Sequence, residues 1–345
     1  MKKHQITIKD IAAQLHISKS TVSRVLTGHP GVSTKTKEQV LDLAKKLDYQ
    51  KNIFATNLVT HKSNTIGIIV PEFITSYFPK VIIAAQDVAR DAGFNIIIAQ
   101  SNENYETEIA NCKVMMANQV DGLLVSITKE TRNYDHLKMF QRKGIPIVFF
   151  NRICEEMEVP KVVVDDYEGA YRAVEHLIKI GKKRIAHLAG PDNLSISRKR
   201  QSGYRAALKK YNIPVDPDLI INYDLSIEKV KIYITHLLSL PHPPDGLFAI
   251  NDPTAIEAIQ VIKKRGLKIP ADIAVVGFSN DQISELIEPS LTTISQPVEK
   301  IGRTAAELLI NQIKRPQSEW KPTIKCLPTE LIIRRSTVFE INSTS

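Results

Sequence analysis

Long apolar runs are missing from this chain. No stretch approaches the ~18 residues a membrane-crossing helix needs, so no membrane partner is expected. The first thirty residues also lack an export signal's apolar segment, because Lys9, Asp10, Gln14 and Lys19 interrupt every candidate. Cysteine is scarce: Cys112, Cys154 and Cys326 stand far apart, with no CxxC and no metal-ligand spacing. Sparse thiols without an export signal suit a reducing compartment, so a cytoplasmic location is expected. The motifs of nucleotide binding and catalysis are absent as well. Neither GxGxxG nor GxxxxGK followed by Ser or Thr occurs, so the usual phosphate-cradling loops are missing. Without GxSxG there is no nucleophile elbow. Nine histidines include no HExxH, and His236 and His242 read as loop residues rather than metal ligands. Neither an enzyme nor a cofactor is expected.

What is present is an ordinary globular composition, 43% hydrophobic and 24% charged over 345 residues, enough for two or three domains. The net charge of +9 is unevenly placed. Residues 1–62 hold eleven Lys/Arg against four Asp/Glu, which leaves 35 against 33 in the other 283. A basic end can be a solvated tail. This one is patterned rather than low-complexity, and a small basic domain on a nearly neutral large one suggests a polyanion partner.

The pattern is helical. Ile8, Ile11, Ala12 and Leu15 fall at i, i+3, i+4 and i+7, and Thr7 with Asp10 makes a capping box to start that helix. His16-Ile17 breaks it, and Ser18 caps a second helix that buries Val22, Val25 and Leu26. A third, capped by Ser33, buries Val40, Leu43, Ala44 and Leu47. The second helix turns Lys19, Ser20, Ser23, Arg24 and Thr27 outward, all hydrogen-bonding types. Such a face is usually mere solvation. Here the tight turn and basic surroundings favour a helix-turn-helix that reads the major groove. Arg can fork onto guanine O6 and N7, with Lys and Ser on neighbouring edges, while Thr21 and Ser23 are short enough to hold phosphates.

"ITIKDIAAQLHISKSTVSRVL", followed by "VSTKTKEQVLDLAKKLDYQKN", resembles the headpiece of the lac repressor/galactose repressor family of bacterial transcription regulators. The resemblance places Lys19, Ser20 and Arg24 at base-reading positions. It puts Thr7, Ser18, Thr21, Ser23, Thr36, Tyr49 and Asn52 on the DNA backbone. His16 stands where many members carry Gly; a positive φ there costs His less than most residues. "NIFATNLVTHKS", 52–63, is too short to be a stable helix alone. Either its apolar residues pack on the large domain as a linker, or, as the resemblance implies, it folds in the minor groove when two copies meet. In the second case Ala55 and Leu58 face the groove, with Leu58 as the wedge. Lys51 replaces a frequent Pro before it.

From Thr65 onward short apolar runs such as "TIGIIV", "NIIIAQ" and "IPIVFFN" alternate with helical stretches at 79–92, 168–180, 199–211 and 252–265. Serial βα units give an α/β fold of parallel sheets covered on both faces. "VEHLIKIGKKRIAHLAGP", "AINDPTAIEAIQVIKKRGLKIPADIAVVGFSN" and "PSLTTISQP" resemble the periplasmic-binding-protein-like core of the same family. That core has two doubly wound parallel-sheet lobes crossed three times by the chain. The expected division is a headpiece at 1–50, a hinge at 51–62 and a core at 63–338. Lobe one takes 63–160 and 292–322, and lobe two 161–291 and 323–338.

The resemblance leads Tyr77, Phe78, Asn151, Arg152, Arg198, Asp252 and Ser279 to a cleft between the lobes. The blander alternatives are a solvated helix start for Arg198, which the family position outweighs, and ordinary core aromatics for Tyr77 and Phe78. Ser279 and Asn151 stand where relatives often have carboxylates, which leaves room for an anionic effector, a sugar phosphate or uronate, on Arg198 and Arg152. The implied protein is a homodimeric regulator, usually a repressor. It would bind a pseudo-palindromic double-stranded operator under control of a small-molecule effector, a sugar or sugar derivative. The chain ends soon after "TELIIRRST" without a heptad tail, so a tail-built tetramer is not expected.

Overall fold

The computed structural model describes residues 6–49 and 63–338. It separates into two units, one ending at Ser63 and the other starting at Asn64. The small unit holds α1 (Ile8–Gln14), α2 (Lys19–Leu26) and α3 (Thr34–Lys46). Ile11, Ala12, Val22, Val25, Val40 and Ala44 form its buried core, with Leu15, Leu26, Leu43 and Leu47 half-buried around them. Each helix starts at the hydroxyl expected. Thr7 accepts from the Lys9 N–H while its own N–H donates to Asp10 Oδ2 at 2.8 Å, closing the capping box. Ser18 Oγ accepts from Thr21 N at 3.1 Å and Ser33 Oγ from Thr36 N at 3.3 Å. His16 makes the turn at φ 52°, the left-handed conformation anticipated there.

The large unit runs β1 (Thr65–Val70), α4 (Tyr77–Asp91), β2 (Asn95–Gln100), α5 (Tyr105–Ala117), β3 (Gly122–Val125), α6 (Asp135–Arg142), β4 (Ile147–Phe150) and β5 (Lys161–Val164). Then come α7 (Asp166–Lys179), β6 (Ile185–Ala189), α8 (Ser195–Lys210), β7 (Ile220–Asn222), α9 (Ile227–Leu238), β8 (Gly246–Ala249), α10 (Asp252–Lys264) and β9 (Ala274–Ser279). It finishes with α11 (Ile283–Leu286), β10 (Thr292–Ser295), α12 (Val298–Ile313), β11 (Ile324–Leu327) and β12 (Glu330–Ile332).

Two six-stranded sheets result, ordered β2-β1-β3-β4-β5-β11 and β7-β6-β8-β9-β10-β12. All pairings are parallel except β10 with β12. Strand alternation sorts the core. On β1, Ile66 and Ile68 pack with Val81, Ala85 and Leu309, while Ile69 joins Met115, Phe140 and Phe149 on the opposite face. Both faces are covered, as a parallel sheet requires.

Sheet membership moves the expected lobe boundaries. β5 belongs to the first sheet, and the chain crosses only after it, at 165. β10 belongs to the second sheet, so that crossing falls after 295 rather than before 292. β11 returns to the first sheet and β12 to the second. Three crossings remain, each at the end of a strand. His236 also departs from expectation: it sits in the last turn of α9, not in a loop.

His187 on β6 is fully buried, stacked between Tyr204 and Phe248 with centroids at 5.2 and 4.7 Å, and its Nδ1 meets the Phe248 carbonyl at 3.0 Å. Burial pushes its pKa down to about 4. Because the folded state resists the proton, this group's contribution is intact above the unfolded value near 6.5. It disappears as the pH falls from there to about 4. The expected loss is about 3 kcal/mol across that window. Urea titrations of the wild type and His187→Gln at pH 7.5 and 4.5 check it: the variant should lose less stability on acidification.

Candidate DNA-reading helix and effector cleft

On α2 the expected reading face stands clear. Lys19, Ser20, Ser23, Arg24 and Thr27 are all exposed, while Val22 and Val25 anchor the other side. The backbone-contact candidates divide. Thr7, Ser18 and Ser23 are exposed; Thr21, Thr36 and Tyr49 are half-buried. The hydroxyls of Thr7 and Ser18 already serve helix starts, accepting from Lys9 N and Thr21 N, and Asp10 N donates to the Thr7 carbonyl. The donors that can face a phosphate are therefore the first-turn N–H groups of Ile8 on α1 and of Lys19 and Ser20 on α2. Asn52, Ala55 and Leu58 lie outside the described residues.

In the large unit the strand order reverses direction at β1 in one lobe and at β6 in the other. Ligands in doubly wound sheets sit beyond the carboxyl ends of strands at such points. The chain leaves β1 toward α4, which begins at Tyr77, and leaves β6 toward α8, which begins at Ser195. Between the lobes lies a cleft with two compartments sharing Tyr77, Ser279, Asp281 and Gln296. The inner one, about 70 Å³, brings together five expected residues: Tyr77, Phe78, Asn151, Arg152 and Ser279. Tyr77 and Phe78 meet edge to face at 5.1 Å.

Two expected residues are not there. Arg198 lies outside the compartment linings; it reaches across the lobes to Glu155 and donates to the Asp192 and Asn193 carbonyls at 2.7 and 3.0 Å. Its place is taken by Arg200, which lines the inner compartment. Arg200 pairs with buried Asp166 at 2.8 Å and lies 3.6 Å over the Phe278 ring. Asp252 is fully buried and faces inward. It accepts from Asp281 N, Ser284 Oγ and Thr293 Oγ1 at 2.7, 2.8 and 2.6 Å, and so positions the segment carrying Asp281. Gly277 allows this, since a Cβ there would strike the Asp252 carboxylate.

Arg152 is also committed, its Nη1 lying 2.8 Å from both Glu103 oxygens. With Arg198 on Glu155 and Arg152 on Glu103, the pair expected to hold an anion is neutralised. The free capacity in the inner compartment is of a neutral kind. Tyr77 Oη, Ser197 Oγ and Gln296 Oε1 are buried there without a hydrogen-bond partner. Buried polar atoms normally find partners, so these three are hydrogen-bonding capacity that the described residues leave unused. Burial raises the Tyr77 phenol well above its ordinary range, which keeps it a neutral donor.

Hydrogen bonds cross the cleft at its rim. Ser76 N and Oγ donate to Asp281 Oδ2 at 2.8 and 3.0 Å, and Asn193 Nδ2 donates to the Lys129 carbonyl at 2.9 Å. Arg198–Glu155 makes a third link. Among the described residues, no group of His, Cys, Asp and Glu is arranged to hold a metal ion, and no helix is long and apolar enough to cross a membrane.

Residues 7–52 match the family model described as bacterial regulatory proteins, lacI family. Residues 63–334 match the model described as periplasmic binding proteins and sugar binding domain of LacI family. The chain is 32% identical over 331 residues to the HTH-type transcriptional repressor CytR of Escherichia coli strain K12, covering 96% of each. Among solved structures it matches the lac repressor dimer bound to operator and the anti-inducer ONPF. There the TM-score is 0.85 at 25% identity, covering 97% of this chain and 100% of that one. It also matches a transcriptional regulator CelR–cellobiose complex, with TM-score 0.74 at 28% identity over 96% of this chain and 99% of that one. A capped helix-turn-helix with an exposed polar face, joined to a two-lobed α/β core, thus has its counterpart over nearly the whole length of these regulators, and the chain belongs to the lacI family of bacterial regulatory proteins.

Proposed function

We propose that this DNA-binding regulator is a cytoplasmic homodimeric repressor whose grip on a pseudo-palindromic operator is set by a small polyhydroxy effector in the cleft, bound without chemical turnover. Lys19, Ser20 and Arg24 read bases; Thr7, Ser18, Thr21, Ser23, Thr36, Tyr49 and Asn52 hold the DNA backbone, and Ala55 and Leu58 enter the minor groove. Tyr77, Phe78, Asn151, Ser279 and Arg200 surround the effector. The observation that carries the effector site is the set of three buried, partnerless atoms, Tyr77 Oη, Ser197 Oγ and Gln296 Oε1. They come from both lobes, so a ligand bonding all three favours one degree of closure over another. Such differential affinity is what lets it shift the lobes, and with them the spacing of the two headpieces. The relatives fit this reading: one is solved with cellobiose, another with operator and an anti-inducer.

The test is fluorescence anisotropy of the full chain on its operator against a panel of mono- and disaccharides and nucleosides. One compound class should change operator affinity. Tyr77→Phe, which removes one partnerless hydroxyl, should then raise the required concentration by up to about tenfold. A response insensitive to Tyr77→Phe and Ser197→Ala together would place the effector elsewhere.

A further inference from the structure

We propose that the outer compartment of the cleft takes an oxyanion substituent, phosphate or carboxylate, carried by the effector, held where two helix N-termini converge with Lys80 and Lys300. This rests on the reading of the cleft as the effector site and goes further, to the chemical class of the effector. The outer compartment encloses about 410 Å³, against about 70 Å³ for the inner one. That larger volume lies within the ~300–1,000 Å³ range of small-molecule sites, so the ligand extends into it.

Its walls are built for negative charge. α4 starts at Tyr77 behind Ser76, and α12 at Val298 behind Pro297, and neither helix start has a side-chain cap. In those first turns Pro79 has no N–H and Val298 N donates to the Gln296 carbonyl at 2.8 Å. The donors that can face a ligand are therefore the N–H groups of Tyr77 and Phe78 on α4 and of Glu299 and Lys300 on α12, at ends that each carry about half a positive charge. Lys80 and Lys300 both line the compartment. Two carboxylates oppose them, Glu299 and Asp281. Asp281 is already engaged, its Oδ2 by Ser76 and its Oδ1 by the Ile283 N–H. Two lysines and two helix ends against two acids leave the compartment net positive.

Independent of the helix ends, Gln296 and Tyr77 are each 7% exposed and line both compartments. Gln296 Nε2 donates to Ser279 Oγ at 3.2 Å, which leaves its Oε1 at the junction without a partner, as Tyr77 Oη is. A ligand hydroxyl can donate to the first and accept from the second. A polyol with an anionic arm satisfies the whole arrangement: hydroxyls at the junction, oxyanion at the helix ends. Anion recognition thereby shifts from Arg152 and Arg198, both occupied by carboxylates, to Lys80, Lys300 and backbone N–H groups.

Isothermal titration of the full chain with inorganic phosphate, glucose, glucose 6-phosphate and glucuronate tests the proposal. The variants are Lys80→Gln/Lys300→Gln and, as a surface control, Lys264→Gln. Phosphate should bind, and the double variant should weaken it about tenfold or more while the control does not. Glucose 6-phosphate outbinding glucose, with the gain lost in the double variant, assigns a phosphate arm; the same pattern for glucuronate assigns a carboxylate. Phosphate that does not bind, or binds the double variant equally, overturns the proposal. If a neutral sugar then binds in a Tyr77→Phe-sensitive manner, the effector-cleft reading stands and only the oxyanion assignment falls.

Discussion

Asp166→Ala is expected to lower the unfolding free energy by about 3–5 kcal/mol and to remove the effector response. Asp166 and Arg200 are 2% and 3% exposed in their side chains and pair at 2.8 Å, so deleting the acid strands a guanidinium in the interior. Arg200 keeps one other acceptor, the Ile250 carbonyl, which cannot neutralise it. The pair is not there chiefly for stability. Burial holds the Asp166 carboxyl above its ordinary range even beside Arg200, so desolvation outweighs the attraction. By linkage, a raised carboxyl pKa means this group favours the folded state most at low pH and less as the pH rises through its unfolded value. A charge kept in the fold at that cost makes sense as a pre-oriented donor at the effector's position, fixed by Asp166 on one side and by Phe278 beneath. Urea denaturation and effector titration of the variant check both halves. A loss under about 1 kcal/mol would show that Arg200 escapes to solvent and is not the fixed donor described.

Arg24→Ala should weaken operator binding by about 1–3 kcal/mol and relax choice at one base pair of each half-site. Arg24 is exposed on α2 and takes no part in the core made by Val22 and Val25, so the headpiece should fold unchanged. Competition binding against every single substitution of the operator separates base reading from charge loss. A uniform loss over all sequences, with a shallower salt slope, would make Arg24 a phosphate contact instead.

Much of this was legible because it is local. Cap residues and apolar periodicity are written in neighbouring positions, which is why the helix starts at Thr7, Ser18 and Ser33 fall where expected. The strands "TIGIIV" and "NIIIAQ" match β1 and β2 for the same reason. The features that differ from the sequence pattern depend on helix phase or on distant residues. The sequence pattern starts a helix at 199 and leaves Arg198 just before it, whereas the helix begins at Ser195 and includes both Arg198 and Arg200. Two residues on a helix are about 200° apart, so the face pointing into the cleft is that of Arg200. Asp252 opens α10 beyond the end of β8 at Ala249 instead of ending a strand, and its carboxylate turns inward because Gly277, on the neighbouring strand β9, makes room. The lobe boundaries lie elsewhere than the sequence pattern puts them because a strand's sheet is decided by partners far along the chain: β5 pairs with β11, Lys161 against Ile324. Gln296 and Asp281 could have been found. Each follows the carboxyl end of a strand, in "TTISQP" and "GFSND", where doubly wound sheets gather their ligands.

The most direct measurement is to sequence the genomic fragments that the intact chain retains at graded salt, with and without the small-molecule fraction of a cell extract. The account predicts a short list of fragments with two half-sites related by a dyad, lost progressively as salt rises, whose retention changes when the extract is added. Retention of no preferred fragment, or a list indifferent to the extract, would contradict a DNA reader governed from the cleft.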